Sequence, residues 1–217
     1  LVSQVCLRFE NFQMNESRKA GADVIMAIGR RVPGWPECHI PGWASALPKE
    51  QQQEKLLRYL ETVVRRYRGY ENLLYWQIEN EAYLTFFSKH ACGDLDEDFL
   101  EKEIAFVREF DPTRPILMTD SGEMSLWYKP YRKGDVFGTS MYLYIWNHTI
   151  GKFRYPITPH FFRIKQNIVK LLFKSKPMIV IELAAEPWLI QPIIDAPFEE
   201  QLERINIDKF DEVLSFS

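Results

Sequence analysis

The sequence NLLYWQIENE spans residues 72–81 and joins a short apolar run directly to three polar residues. An apolar run of this length, without alternation, is typical of a strand that is buried on both faces. Short runs of the same kind recur along the chain and alternate with amphipathic stretches of helical period. Buried strands that alternate with helices predict a parallel sheet with helical crossovers.

The same pattern predicts the other strands and helices. Strands are predicted at residues 23–29, 72–78, 115–119, 135–140 and 177–181. Helices are predicted at residues 49–68, 96–110 and 158–172, with a further helix at 198–214 and a helix-compatible segment at 1–20. Polar residues follow the strands directly, at the carboxyl edge where parallel α/β folds build their sites. Neither a Gly-x-Gly-x-x-Gly pattern nor a phosphate-binding loop follows any strand, which argues against a nucleotide-binding sheet.

Composition limits the classes of function. The chain has 217 residues, 27 basic and 30 acidic, so its formal net charge is −3. Its apolar fraction of 46% is that of an ordinary globular domain. No basic run or basic-aromatic stripe is present, which argues against a nucleic-acid partner. No apolar stretch approaches the roughly 20 residues that span a bilayer, and no signal peptide is visible, so no membrane association is predicted.

The three cysteines, Cys6, Cys38 and Cys92, are odd in number and widely spaced. We therefore expect no disulfide framework, and a reduced, cytoplasmic setting is favoured. Cys38-His39 and His90-Ala91-Cys92 supply four side chains that could hold a structural zinc. Their spacing is not that of a zinc ribbon or finger, so a zinc-stabilised interaction domain is a minor alternative.

Two glutamates stand out because each follows a predicted strand. Glu81 comes three residues after one strand, and Glu182 directly follows another. Since the carboxyl ends of parallel strands share one edge, we expect both side chains to face one cleft. Glu186 rivals Glu182, but Glu182 is held more directly by its strand. Glu79 is expected to point away from the cleft, because side chains alternate along a strand.

The order of these residues resembles the clan A glycoside hydrolases, the (β/α)8 retaining glycosidases that include cellulase-type family 5 enzymes and family 42 β-galactosidases. In that clan an Asn-Glu pair ends strand four, a tyrosine follows strand six and a glutamate ends strand seven. The matching residues here are Asn80, Glu81, Tyr142 and Glu182. Residues 29–39 (GRRVPGWPECH) and 181–188 (IELAAEPW) are also similar to uncharacterised bacterial proteins described as cellulase-family glycosyl hydrolases.

The resemblance implies a retaining hydrolase of β-glycosidic bonds. Glu81 would protonate the leaving oxygen and Glu182 would attack the anomeric carbon. In such enzymes the two carboxyl groups lie about 5–5.5 Å apart, and the proximity of two like charges raises the pKa of the acid. Asn80 would donate a hydrogen bond to the sugar 2-OH, and Tyr142 would donate one to the nucleophile.

The resemblance also implies a carbohydrate substrate and no metal or other cofactor. Further candidates for sugar binding are Trp35, His39, Glu123 and Trp188. Glu123 could instead cap a helix, and tryptophans in loops more often pack than form platforms for sugar rings. The sequence leaves the sugar, the linkage, exo or endo action and the oligomeric state open.

The five predicted strands correspond to strands three to seven of the clan's barrel. Strands one, two and eight are lacking, together with the arginine after strand two and the aromatic residue after strand eight. We therefore expect residues 1–217 to form a single, partial (β/α)8 catalytic domain. Because five strands cannot close an eight-stranded barrel, this chain alone is expected to be poorly stable and weakly active or inactive. A carbohydrate-binding pseudoenzyme on the same fold is the main alternative.

Overall fold

The computed structural model describes residues 4–34, 37–84, 89, 92–147, 151–186, 189 and 193–217. The strands are β1 (Val24–Ile28), β2 (Leu73–Ile78), β3 (Ile116–Asp120), β4 (Val136–Met141), β5 (Tyr144–Asn147), β6 (Gly151–Arg154) and β7 (Met178–Leu183). The helices are α1 (Gln4–Lys19), α2 (Gly42–Ser45), α3 (Lys49–Tyr67), α4 (Glu97–Phe110), α5 (Tyr128–Lys133), α6 (Pro159–Leu172), α7 (Phe198–Arg204) and α8 (Ile207–Phe216). A short 3-10 turn precedes α7, at Ile193–Asp195.

The five predicted strands form one parallel sheet in the order β1-β2-β3-β4-β7. The sheet curls into half of a barrel, with helices in the connections between its strands, so the predicted partial (β/α)8 class is confirmed. Within the described residues, no strand pairs with the outer edge of β1 or of β7. A cavity of about 240 Å³, lined by α1, β1 and α3, lies beside β1 and contains none of the candidate site residues.

The sequence analysis missed four strands and helices, and it predicted one helix at 198–214 where the structure has α7 and α8. One of the four, α2, is a four-residue helix in the loop after β1. β5 and β6 form an antiparallel hairpin directly after β4, and α5 is a short helix between β3 and β4. Each is four to six residues long, which is too short for a hydrophobic period to be recognised.

The core lies between the sheet and its helices. Leu60, Val63 and Tyr67, at helical spacing on α3, are buried in one cluster with Trp76 of β2 and Val107 of α4. Burying a large apolar side chain contributes roughly 1.5–3 kcal/mol, so this layer fixes the positions of β1, β2 and β3. A second cluster, around Phe137, Trp127, Tyr131, Phe162 and Phe216, supports β4 and β7 from α5, α6 and α8.

None of the described helices combines the length and the apolar character needed to cross a bilayer.

A disulfide joins Cys38, in the loop after β1, to Cys92, in the loop after β2. The sequence predicted no disulfide framework and reduced cysteines, and this one bond departs from the expected reduced state. The two cysteines lie 54 residues apart in sequence, but β1 and β2 are neighbours, so the loops that follow them meet at one edge. Bonded sulfurs cannot serve as thiolate ligands, so the disulfide removes two of the four side chains that the zinc alternative requires. No group of three metal-binding side chains occurs among the described residues. His90, another of the proposed zinc ligands, lies outside the described residues.

Candidate active site at the carboxyl edge of the sheet

Glu81 lies three residues beyond β2 and turns into the space above β3 and β4. Its backbone N–H donates to Thr119 Oγ1 at 2.9 Å, and its φ of 41° is in the left-handed region. The side chain is buried, with 6% of the residue exposed, and Oε1 accepts a hydrogen bond from Ser140 Oγ at 3.1 Å. Contacts to β3 and β4 therefore hold both the backbone and the carboxyl group of Glu81.

Glu182 lies in β7, beside Ser140 of β4 in the parallel ladder. Its Oε2 accepts a hydrogen bond from the Tyr142 hydroxyl at 2.8 Å. Its Oε1 is buried and has no hydrogen-bond partner among the described residues. Glu186, the rival candidate, is exposed.

Ser140 connects the two glutamates. Its hydroxyl holds the Glu81 carboxyl, and its backbone is the ladder neighbour of Glu182. Since adjacent strands lie about 4.8 Å apart, the Glu81 carboxyl lies within a short distance of the β7 backbone that carries Glu182. The structure thus brings together the two carboxylates that the sequence analysis singled out.

The electrostatics of this cleft favour a proton on Glu81. Burial is the largest cause and, together with the negative charges of Glu182 and Glu37, raises the pKa of Glu81 to about 8. The hydrogen bond from Ser140 acts in the opposite direction and is smaller. Burial, followed by the charge of Glu182, also raises the pKa of Tyr142, which keeps its hydroxyl proton available for donation.

Asn80 is buried beside Glu81, and its side chain is fixed by two donors. Its Oδ1 accepts hydrogen bonds from Gln77 Nε2 at 2.8 Å and from Thr119 Oγ1 at 3.2 Å. Its Nδ2 is buried and has no partner among the described residues. A buried amide nitrogen without an acceptor is costly, so this group is suited to donate to a bound molecule.

Glu123 lies in the loop after β3 and holds the loop after β4. Its Oε1 accepts a hydrogen bond from the Tyr142 backbone N–H at 2.5 Å, and its Oε2 accepts one from Ser121 Oγ at 3.4 Å. It caps no helix, because α5 begins after Trp127 without a side-chain cap. Burial raises the pKa of Glu123. The observed contacts make Glu123 a support for Tyr142.

Glu79 lies behind the cleft, as the alternation of side chains along β2 predicts. Its carboxyl accepts hydrogen bonds from the backbone N–H groups of Arg30 at 2.7 Å and Arg31 at 2.9 Å. It also contacts the buried Glu103 of α4, and burial raises the pKa of both glutamates. Gly29 leaves room for this arrangement, because a Cβ there would meet Glu79 Oε1 at 2.4 Å. Glu79 thus fastens the loop after β1 to the loop after β2.

Three further residues were predicted to bind sugar: Trp35, His39 and Trp188. Trp35 and Trp188 lie outside the described residues. His39 is exposed, and its backbone N–H donates to the Arg30 carbonyl at 2.8 Å. Trp127, another loop tryptophan, is buried in the core and donates from Nε1 to the Ser121 carbonyl at 2.8 Å, so it offers no face to a sugar ring.

Two residues of the cleft were missed by the sequence analysis. Ser140 ends the predicted fourth strand, so the rule that sites collect at strand ends could have found it. Glu37 lies in the proline-rich loop after β1, and no local pattern in the sequence indicates that its charge acts on Glu81 and Glu182.

Comparison with solved structures shows the same fold. The GH53 catalytic domain of Ignisphaera aggregans matches with a TM-score of 0.60 and 16% identity, over 91% of this chain and 55% of that one. A xylanase from Cellvibrio japonicus matches with a TM-score of 0.58 and 14% identity, over 88% of this chain and 58% of that one. Xylanase 10B from Thermotoga maritima matches with a TM-score of 0.57 and 17% identity, over 90% of this chain and 59% of that one.

These likenesses confirm the resemblance to clan A glycoside hydrolases at the level of the fold. The chain spans between 55% and 59% of the length of these three structures, in keeping with its half-barrel. No protein-family model matches the chain, and no curated protein matches it either.

Proposed function

We propose that this chain is part of a retaining glycoside hydrolase that cleaves β-glycosidic bonds by double displacement. Glu81 is the acid/base and Glu182 is the nucleophile, and residues 1–217 form one partial catalytic domain. The observation that carries the proposal is the pairing of a buried Glu81 carboxyl, whose pKa is raised to about 8, with Glu182 across Ser140. Such a pair supplies an acid and a nucleophile at neutral pH.

In the first step the protonated Glu81 gives its proton to the glycosidic oxygen while a Glu182 oxygen attacks the anomeric carbon. The bond from that carbon to the leaving oxygen breaks, and a glycosyl ester of Glu182 forms. Oε1 is suited to the attack, because Oε2 already accepts a hydrogen bond from Tyr142 and Oε1 has no partner among the described residues.

In the second step the ionised Glu81 removes a proton from water, and the water oxygen attacks the anomeric carbon to release Glu182. Esterification cancels the charge of Glu182, which is one of the causes of the raised pKa of Glu81. The pKa of Glu81 therefore falls when the ester forms, and the same carboxyl changes from acid to base.

Asn80 and Tyr142 position the reactants. The Asn80 amide is held by its oxygen, so its Nδ2, which has no partner among the described residues, can donate to a hydroxyl of the sugar beside Glu81. Tyr142 fixes the orientation of Glu182, and Glu123 fixes Tyr142 through its backbone. The substrate is a β-linked carbohydrate, in keeping with the xylanases among the similar structures and with a similar β-galactosidase from Rahnella (TM-score 0.56, 14% identity, over 90% of this chain and 40% of that one).

The test separates the two roles by the leaving group. Glu182→Gln, Glu81→Gln and the control Glu71→Gln, an exposed residue at the amino end of β2, are compared on matched 2,4-dinitrophenyl and 4-methoxyphenyl β-glycosides. We expect Glu182→Gln to lose at least about 10³-fold in kcat/KM on both substrates. Glu81→Gln should lose roughly 10²–10⁴-fold on the poor leaving group and much less on the good one, which departs without a proton.

Two outcomes would contradict the proposal. If the protein binds β-linked oligosaccharides but hydrolyses none of the glycosides, and Glu182→Gln leaves binding unchanged, it is a carbohydrate-binding pseudoenzyme. If Glu182→Gln retains hydrolysis, the nucleophile is another residue.

A further inference from the structure

Glu37 is a half-buried glutamate in the loop after β1, and the mechanism above makes no use of it. Its backbone is held at three points. Arg31 and Cys38 form an antiparallel bridge on either side of it, its N–H donates to the Gly34 carbonyl at 2.6 Å, and the adjacent Cys38 is bonded to Cys92. The surrounding structure therefore fixes Glu37 at the carboxyl edge of the sheet.

Glu37 also has a φ of 62°, which is uncommon for a residue with a side chain. A left-handed conformation of this kind costs about 1–2 kcal/mol and persists only where the surroundings impose it. Of the non-glycine residues that the structure describes, four have a positive φ, and three of them are Glu37, Glu79 and Glu81. The strain is concentrated at the two loops that build the cleft.

The loop that carries Glu37 is joined to the loop of Glu81, because the Asn80 backbone N–H donates to the Arg31 carbonyl at 2.7 Å, and the charge of Glu37 acts on both candidate catalytic residues. Burial and then the charge of Glu182 raise the pKa of Glu37, and the charge of Glu37 contributes to the raised pKa of Glu81. The Glu37 carboxyl accepts no hydrogen bond from any of the described residues. Arg31, whose positive charge acts on Glu37, donates its hydrogen bonds to the carbonyls of Ala82 and Gly93.

We propose, resting on the function proposed above, that Glu37 is a specificity-determining residue of the cleft: it accepts hydrogen bonds from sugar hydroxyls beside Glu182 and excludes sugars that carry a carboxylate. The buried Asn80 Nδ2 and Glu182 Oε1, both without a partner among the described residues, supply the complementary donor and acceptor for the same ligand. A neutral sugar offers hydroxyl donors to Glu37, whereas a uronic acid adds a like charge to a cleft that already holds three carboxyl groups.

The experiment uses substrate pairs that differ only at C6. The full-length protein is assayed on 4-nitrophenyl β-glucoside against β-glucuronide, and on β-galactoside against β-galacturonide, as substrates or as competitive inhibitors. Glu37→Gln keeps the shape but removes the charge, Glu37→Asp keeps the charge, and Glu71→Gln controls for the loss of an exposed glutamate. Melting temperatures show that each variant is folded.

We expect Glu37→Gln to reduce the ratio of kcat/KM, or of inhibitor affinity, for neutral over acidic sugars by about tenfold. Glu37→Asp should retain the wild-type ratio. A second readout does not depend on turnover. In a ¹³C-NMR titration of labelled glutamate, with Glu81→Gln as the assignment control, the midpoint of Glu81 should fall from about 8 by roughly half a pH unit in Glu37→Gln.

Failure of this inference differs from failure of the proposed function. If Glu182→Gln abolishes hydrolysis while Glu37→Gln changes neither the preference nor the Glu81 titration, Glu37 is not part of the cleft. If the wild-type protein neither binds nor hydrolyses any of the four glycosides, both proposals are overturned.

Discussion

Replacement of Glu81 by glutamine should stabilise the chain at alkaline pH. The folded state holds the Glu81 proton up to about pH 8, whereas an ordinary glutamate releases it near pH 4.5. Because the folded state binds this proton more tightly than the unfolded state does, the free energy of unfolding falls as the pH rises from 4.5 to 8. The shift of 8 − 4.5 = 3.5 in pKa corresponds to about 5 kcal/mol as an upper bound, since one pKa unit is about 1.4 kcal/mol.

Glutamine carries no charge at any of these pH values and still accepts the hydrogen bond from Ser140. The difference in the free energy of unfolding between Glu81→Gln and wild type should therefore be near zero at pH 5. At pH 8.5 it should rise to several kcal/mol in favour of Glu81→Gln. The assay is urea unfolding of both proteins at pH 5, 7 and 8.5, with Glu71→Gln as the control for a lost surface charge. A difference that is the same at pH 5 and pH 8.5 would refute the idea that Glu81 is buried and protonated.

Two further substitutions test the supports of the site. Gly29→Ala should lose roughly 3–5 kcal/mol in urea unfolding, because its φ of 132° is strained for alanine and its Cβ would displace the buried Glu79 carboxyl. Gly34→Ala, with a φ of 109° and no atom within 4 Å of its Cβ, is the matched control and should lose only about 1–2 kcal/mol; equal losses would show that the contact with Glu79 is unimportant. Tyr142→Phe removes the donor to Glu182 and should lower kcat about 10–100-fold with little change in melting temperature, whereas a loss confined to KM would contradict its role in orienting the nucleophile.

The strands were predictable because each is a short apolar run between charged helices. All five predicted strands are found within about two residues of their expected limits. Parallel pairing followed from the helices between them, and the common edge followed from parallel pairing. This chain of inference placed Glu81 and Glu182 at one edge of the sheet. Tyr142 was implied by the resemblance to the clan A glycoside hydrolases, and the hydrogen bond between Tyr142 and Glu182 agrees with that implication.

What the sequence did not reveal depends on contacts between loops. The disulfide of Cys38 and Cys92 bridges two segments that have neither a helical nor a strand period, so nothing local indicates that they meet. No local pattern indicates the position of Glu37 either. The bridge between Arg31 and Cys38 sets the path of its loop, and this path brings the charge of Glu37 near Glu182. Loops are positioned by the elements that they connect, and a residue in a loop acquires its role only once those elements are assembled.

The proposed division of labour between Glu81 and Glu182 is based on where each side chain is held. Glu182 lies in β7, and the Tyr142 hydroxyl donates a hydrogen bond to its Oε2, which fixes the orientation of the carboxyl group. Glu81 lies on a strained turn beyond β2, is more fully buried, and receives one hydrogen bond, from Ser140. Burial is the main cause of its raised pKa, and the charge of Glu182 comes next. The proton that the proposed acid needs is therefore held at Glu81 by its burial and by the charge of Glu182.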